Sequence, residues 1–153
     1  MNKSAFLFGI ASFFLFLAIA LLFPLCGLCI AVLVGAAAGW LAAYWSKPLD
    51  ENSAASIGAV TGALAGVGAV VGQTVGSILN ARAIGTDGII QFWEAFGFQG
   101  LPPITEGQLL VSAISAGACC GVVNVAIMAG FGALAGFLYF RNSSPSHPPN
   151  IEY

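Results

Sequence analysis

The chain has 153 residues, of which only four are Lys/Arg and six are Asp/Glu. Charged residues make up 7% of it, against about 25% in an ordinary soluble domain, while 59% are hydrophobic and twenty are glycine. That balance excludes a soluble globular domain and a disordered chain, and four scattered cations cannot build a nucleic-acid-binding patch. It points to an all-α integral membrane protein.

The charges bracket the candidate spans. Lys3, Lys47, Asp50, Glu51, Arg82, Asp87, Glu94, Glu106, Arg141 and Glu152 leave residues 4–46, 52–81 and 107–140 free of charge. About 20 apolar residues in a helix cross a hydrocarbon core of about 30 Å. The first interval is long enough for two spans, and Pro24 near its middle lacks an amide N–H and disrupts a helix. With Leu25, Cys26 and Gly27 after it, Pro24 predicts a tight reversal. A single kinked helix over the whole interval is the alternative. It would measure about 60 Å, too long to lie in a bilayer without extreme tilt. The expectation is a four-transmembrane-helix bundle with a short extracytoplasmic interfacial helix. Residues 1–141 form one domain, with spans over about 6–23, 28–45, 54–81 and 107–140.

In the first span, Lys3 and the apolar run after it resemble the start of a signal peptide. No polar cleavage zone follows, so the segment is expected to be retained. Cys26 lies behind Phe23-Pro24-Leu25, a poor lipobox. The second span ends in Trp40, Tyr44 and Trp45 before Lys47, as a helix leaving a membrane does. In the third, Ser53 is the expected cap, with Asp50 and Glu51 at the positive helix end and Arg82 just past the last turn. The loop after it carries Ile89, Phe92, Trp93 and Phe96 at helical spacing, with Asp87 placed to cap. This predicts an interfacial helix over about 87–97, with Phe92, Trp93, Phe96 and Phe98 as lipid or partner contacts. Such a segment either folds as a lid over its own bundle or docks a partner. The fourth span opens with Thr105-Glu106-Gly107-Gln108, which has capping-box spacing, and closes at Arg141. The tail over 142–153 is polar and Pro/Ser-rich.

Four spans put both termini on one side, so that Lys3, Lys47 and Arg141 share a face opposite Arg82. The positive-inside rule makes that face cytoplasmic. The expected location is a prokaryotic plasma membrane, with membrane lipids as immediate partners.

Glycine placement is the most specific pattern. The third span holds Gly58, Gly62 and Gly66, then Gly68, Gly72 and Gly76. These are two runs at every fourth residue, so each forms a groove on one helical face. The second span has Gly35 and Gly39; the fourth has Gly117 and Gly121, then Gly132 and Gly136. Between membrane helices, close backbone approach and polar contacts drive association. Two offset grooves therefore predict that the third span is central, with the second and fourth as its neighbours. The grooves serve either internal packing or another subunit, so a homo-oligomer is a live alternative. Gly35–Lys47 also resembles Gly132–Arg141, each a small-residue seam leading to aromatics and a cation. Duplication of a hairpin and convergence on the same exit from the membrane both account for this.

The polar residues counted within the spans are Gln73, Thr74, Ser77, Ser112, Ser115 and Asn124, and no span carries a charge in its middle. Intramembrane ionisable groups are the usual mark of proton relays and ion pathways, so a pump or proton-coupled carrier is disfavoured. Antiparallel helices would gather Gln73, Thr74, Ser77, Ser112 and Ser115 into a polar cluster, either as packing glue or as a small-ligand site. Asn124 lies deeper and needs another partner. Cys26, Cys29, Cys119 and Cys120 read first as small apolar packing residues. A Cys26–Cys29 disulfide or a metal or redox site is the alternative. His147, the single histidine, lies in the tail, so no histidine can ligate a pigment within the membrane. No metal or cofactor is expected, and no catalytic constellation is present. The Gly66-Val-Gly68 run lacks the third glycine of a dinucleotide fingerprint.

The function expected is that of a non-catalytic small subunit that packs within and stabilises a larger membrane complex, such as a respiratory or photosynthetic one, beside other transmembrane subunits. A glycine-zipper homo-oligomer that forms a pore or remodels the bilayer is the alternative, and a small-solute transporter is the third reading.

Overall fold

The computed structural model describes residues 3–22, 27–100 and 102–143. The described residues are all helix and connection: α1 (Lys3–Leu22), α2 (Gly27–Ser46), α3 (Glu51–Ala95) and α4 (Glu106–Ser143). Three of these, α2, α3 and α4, are long and apolar enough to cross a membrane, and within α1 Phe6–Leu21 is a shorter apolar helix. The turn at Pro24, Cys26 and the tail with His147 lie outside the described residues.

The helix ends follow from local chemistry. Lys47, with φ 45°, ends α2 in the left-handed region, and its N–H donates to the Ala43 carbonyl at 3.1 Å. Asp50, rather than the expected Ser53, caps α3. The helix starts at Glu51, so Ser53 sits in its first turn and donates its backbone N–H to Asp50 Oδ1 at 2.6 Å. At α4 the capping box is reciprocal. The Gln108 N–H donates to Thr105 Oγ1 at 3.3 Å and the Thr105 N–H to Gln108 Oε1 at 3.0 Å, which satisfies two otherwise free donors.

A second difference concerns the loop. The helix expected over 87–97 is not a separate element but the second limb of α3, which bends at Gly85. Gly85 takes φ 69°, ψ -178°, a region essentially restricted to glycine, so the helix changes direction there. Asp87 lies inside the limb rather than at a cap. The limb ends in a Schellman motif: Phe98 N–H reaches Trp93 O at 3.1 Å and Gly97 N–H reaches Glu94 O at 2.9 Å. Gly97 has φ 87°, the conformation this cap requires.

Contacts between helices give their directions. Gly9, Phe13 and Ala20 of α1 meet Gly68, Gly72 and Gly76 of α3 in the same order, so α1 and α3 run parallel. Val125, Met128 and Gly132 of α4 meet Gly66, Gly62 and Gly58 in reverse order, so α3 and α4 are antiparallel. Gly35 and Gly39 of α2 meet Met128 and Gly132, so α2 runs with α4. The result is an up-down-up-down bundle with Phe8 stacked on Trp45 at 5.8 Å where α1 begins and α2 ends. α3 lies between α1 and α4, whose Cα atoms stay more than 8 Å apart among the described residues.

Both expected neighbours, α2 and α4, pack on the third span, and α1 joins them. Its first glycine run faces α4 as anticipated, but its second faces α1. The seam of α2 is spent mainly on α4.

The core is made of small residues. On α3 the buried positions are alanines, glycines and Thr61. The largest fully buried side chains are Phe16, Met128 and Asn124. In water such a core would bury too little apolar area. In lipid, where tails are as apolar as leucine, close backbone packing supplies the attraction instead.

Candidate functional site

The glycine seams and one polar pair are the distinctive constructions of this bundle. In the α3–α4 seam, a Cβ at Gly58 or Gly62 would collide with the carbonyl of Gly132 or Met128, and one at Gly136 with the carbonyl of Ala54. At Gly66 it would stand 2.8 Å from Val125 Cα. Further along, Gly121 faces Val70 and Gly117 faces Thr74, where a Cβ would lie 2.7 Å and 3.2 Å from the nearest side-chain atom. In the α1–α3 seam a Cβ at Gly68 or Gly72 would strike the carbonyl of Gly9 or Phe13. At Gly76 it would lie 2.6 Å from Ala20 Cβ. In the α2–α4 seam, Gly35 faces Met128 Cα at 2.7 Å and Gly39 faces the Gly132 carbonyl. All twelve glycines picked out by spacing thus stand within van der Waals reach of a neighbouring helix.

The two sequence-similar segments lie side by side. Gly39 meets Gly132, and beyond them Tyr139 packs edge-on against Trp40 at 5.3 Å and Tyr44 at 6.2 Å. Arg141 stands 5.7 Å over the Phe137 ring. These rings crowd one end of the bundle.

The five-residue polar cluster is not assembled by hydrogen bonds. Thr74 Oγ1 donates to the Val70 carbonyl at 2.8 Å, Ser112 Oγ to Leu109 O at 2.8 Å, and Ser115 Oγ to Val111 O at 2.8 Å. Each hydroxyl satisfies itself on its own helix, a local option that short hydroxyl side chains commonly take. Ser112 and Ser115 also lie on the exposed side of α4.

Gln73 bonds instead to Asn124, the residue that needed a partner. Asn124 Nδ2 donates to Gln73 Oε1 at 3.0 Å across the α3–α4 seam. Asn124 is 2% exposed, and its Oδ1 meets no hydrogen-bonding group among the described residues. Ser12 and Thr61 are also buried and escaped the count of membrane polar residues. Their signal is spacing: Ser12 precedes Phe16 and Ala20 at four-residue steps, and Thr61 adjoins Gly62. Gly9 was missed as well, since a lone glycine in α1 forms no run.

The aromatic limb does not cover the bundle. Every residue from 91 to 100 is exposed, which removes the lid reading. Phe92, Trp93, Phe96 and Phe98 stack on one another instead. Phe92 lies 5.9 Å from Trp93 and 4.8 Å from Phe96, and Trp93 lies 5.4 Å from Phe98.

Cys29, Cys119 and Cys120 are exposed free thiols, and no cluster of three or more potential metal ligands occurs among the described residues. No family model matches the chain, and neither a curated protein nor a solved structure is similar to it.

Proposed function

We propose that this chain is a non-catalytic integral membrane subunit that packs within and stabilises a larger membrane complex. It does so as a four-span bundle with both termini in the cytoplasm of a prokaryotic cell. The observation that carries this reading is the outer face of α4. There Ala126, Ile127, Gly130, Phe131 and Leu134 line a shallow groove. Gly130 has nothing within 4 Å of its Cβ position, unlike Gly132 and Gly136 on the same helix. A lipid-facing helix gains nothing from small residues, whereas a docking helix uses them to bring backbones together. Elsewhere along α4, Val111 and Val122 are about two-thirds exposed, at 68% and 70%. Because α1 lies on the far side of α3, it leaves this half of α4 open.

The limb after Gly85 lies at the extracytoplasmic surface with Phe92, Trp93, Phe96 and Phe98 in the headgroup region, where aromatic rings are favoured. α4, at 38 residues, is about 57 Å long. It therefore tilts in, or extends beyond, a hydrocarbon layer of about 30 Å.

Extraction of native membranes into polymer-bounded lipid discs, followed by native mass measurement, tests the proposal. A defined assembly with larger, different proteins is expected. A clean monomer sinks the reading, and a ladder of identical copies replaces it with a glycine-zipper homo-oligomer.

A further inference from the structure

We propose that Asn124 and the opening turn of α2 hold one water molecule between them, inside the bundle. Asn124 is 2% exposed, and its Oδ1 accepts no hydrogen bond among the described residues. Leaving a buried acceptor without a donor is costly, so the group calls for a donor close by.

α2 supplies the donors. Gly35 faces Met128 and Gly39 faces Gly132. One further step of four toward the N-termini sets Ala31 beside Asn124, and a second sets Gly27 beside Cys120. Helix side chains lean toward the N-terminus, so the Asn124 amide is carried from Ala31 toward Gly27, where α2 begins. The N–H groups of a helix's first turn have no carbonyl partner within the helix, and Gly27 has no side chain to shield them. Position around α4 agrees. Gly121 faces Val70 of α3, Ile127 packs on the core group that holds Ala31, and Asn124 lies midway between the two. Its Nδ2 reaches α3 at Gln73, which leaves Oδ1 for the side of α2.

The chemistry selects water. Oδ1 needs a donor and the N–H groups need an acceptor, and one water serves both. A buried water requires two to four such partners. An anion, the common guest of a helix N-terminus, would be repelled by the Oδ1 lone pairs. The water joins α2 to the Gln73–Asn124 pair, so three helices share one polar node. This inference concerns the chain itself and stands apart from the proposed assembly.

Cross-relaxation between water and protein protons, measured by NMR on the full chain in lipid nanodiscs, tests it. Signals are expected at the Asn124 side-chain amide and at the N–H of Leu28 or Cys29, with the sign of a water that tumbles with the protein. The N–H of Ala38, deeper in α2 and 1% exposed, should show none. In Asn124→Leu the signals at Leu28 and Cys29 should vanish. Their persistence there would mean that water reaches the first turn without Asn124, and overturns the inference. Absence of the Asn124 signal in the unaltered protein overturns it too, and that result decides alone should the leucine variant not fold.

Discussion

Gly62→Ala places one methyl group in the α3–α4 seam. The added Cβ would fall on the Met128 carbonyl oxygen, 2.9 Å from its carbon and 3.2 Å from Ala129 Cα. The obstacle is backbone, which cannot rotate aside, so the helices must part by about 1 Å. A gap of that size forfeits roughly a quarter to a half of the dispersion attraction at neighbouring contacts. Overpacking of this kind costs about 1–3 kcal/mol. Alanine also favours the helix by up to ~1 kcal/mol, so the comparison needs a glycine with the same propensity gain and no collision. Gly130→Ala supplies it, with nothing within 4 Å. The two variants should differ by about 1–3 kcal/mol, roughly 5- to 150-fold in the unfolding equilibrium. Reversible unfolding in mixed micelles, followed by tryptophan fluorescence, measures both. Equal stabilities within about 0.5 kcal/mol, below the smallest expected overpacking cost, would refute close backbone packing as the source of cohesion.

Three further outcomes follow from particular residues. Gly85→Ala should straighten or fray α3, since the bend uses a conformation that costs other residues about 1–3 kcal/mol; the distance between labels at Leu79 and Phe96 should lengthen or broaden. Thr105→Ala removes one arm of the capping box and should cost about 0.5–2 kcal/mol, seen as faster amide exchange confined to the first turn of α4. Trp93, the one tryptophan in the limb, should be quenched by lipids brominated near the headgroup more than by lipids brominated at the chain end; the reverse order would place the limb in the wrong layer.

Much of this bundle was legible because membranes restrict the choices. Charges at Lys47, Glu106 and Arg141 fall at or near helix ends, whereas Arg82 lies inside α3, three residues before the Gly85 bend, and glycine spacing marked faces that meet neighbouring helices. Spacing could show that α3 has two grooves but not which helix fills each. The second groove went to α1, whose own contribution is the single Gly9 beside Phe13 and Leu17. A run-based search overlooks such a face. Gly85 was legible only as a loop residue, because one left-handed glycine can bend a helix without ending it. The polar cluster failed for a local reason: Thr74, Ser112 and Ser115 each reach a carbonyl on their own helix. Gln73 and Asn124 have longer side chains ending in amides and found each other across the seam. Capping at Asp50 rather than Ser53 turned on where the first helical residue falls, which composition leaves open.

Photocrosslinking from Val122, at the open face of α4, in native membranes tests the central claim most directly. A photoreactive residue there should yield one discrete heavier product containing a different membrane protein, and the same residue at buried Ala65 should yield none. Adducts with lipid alone, or with further copies of this chain alone, would contradict the role of a subunit in a larger complex.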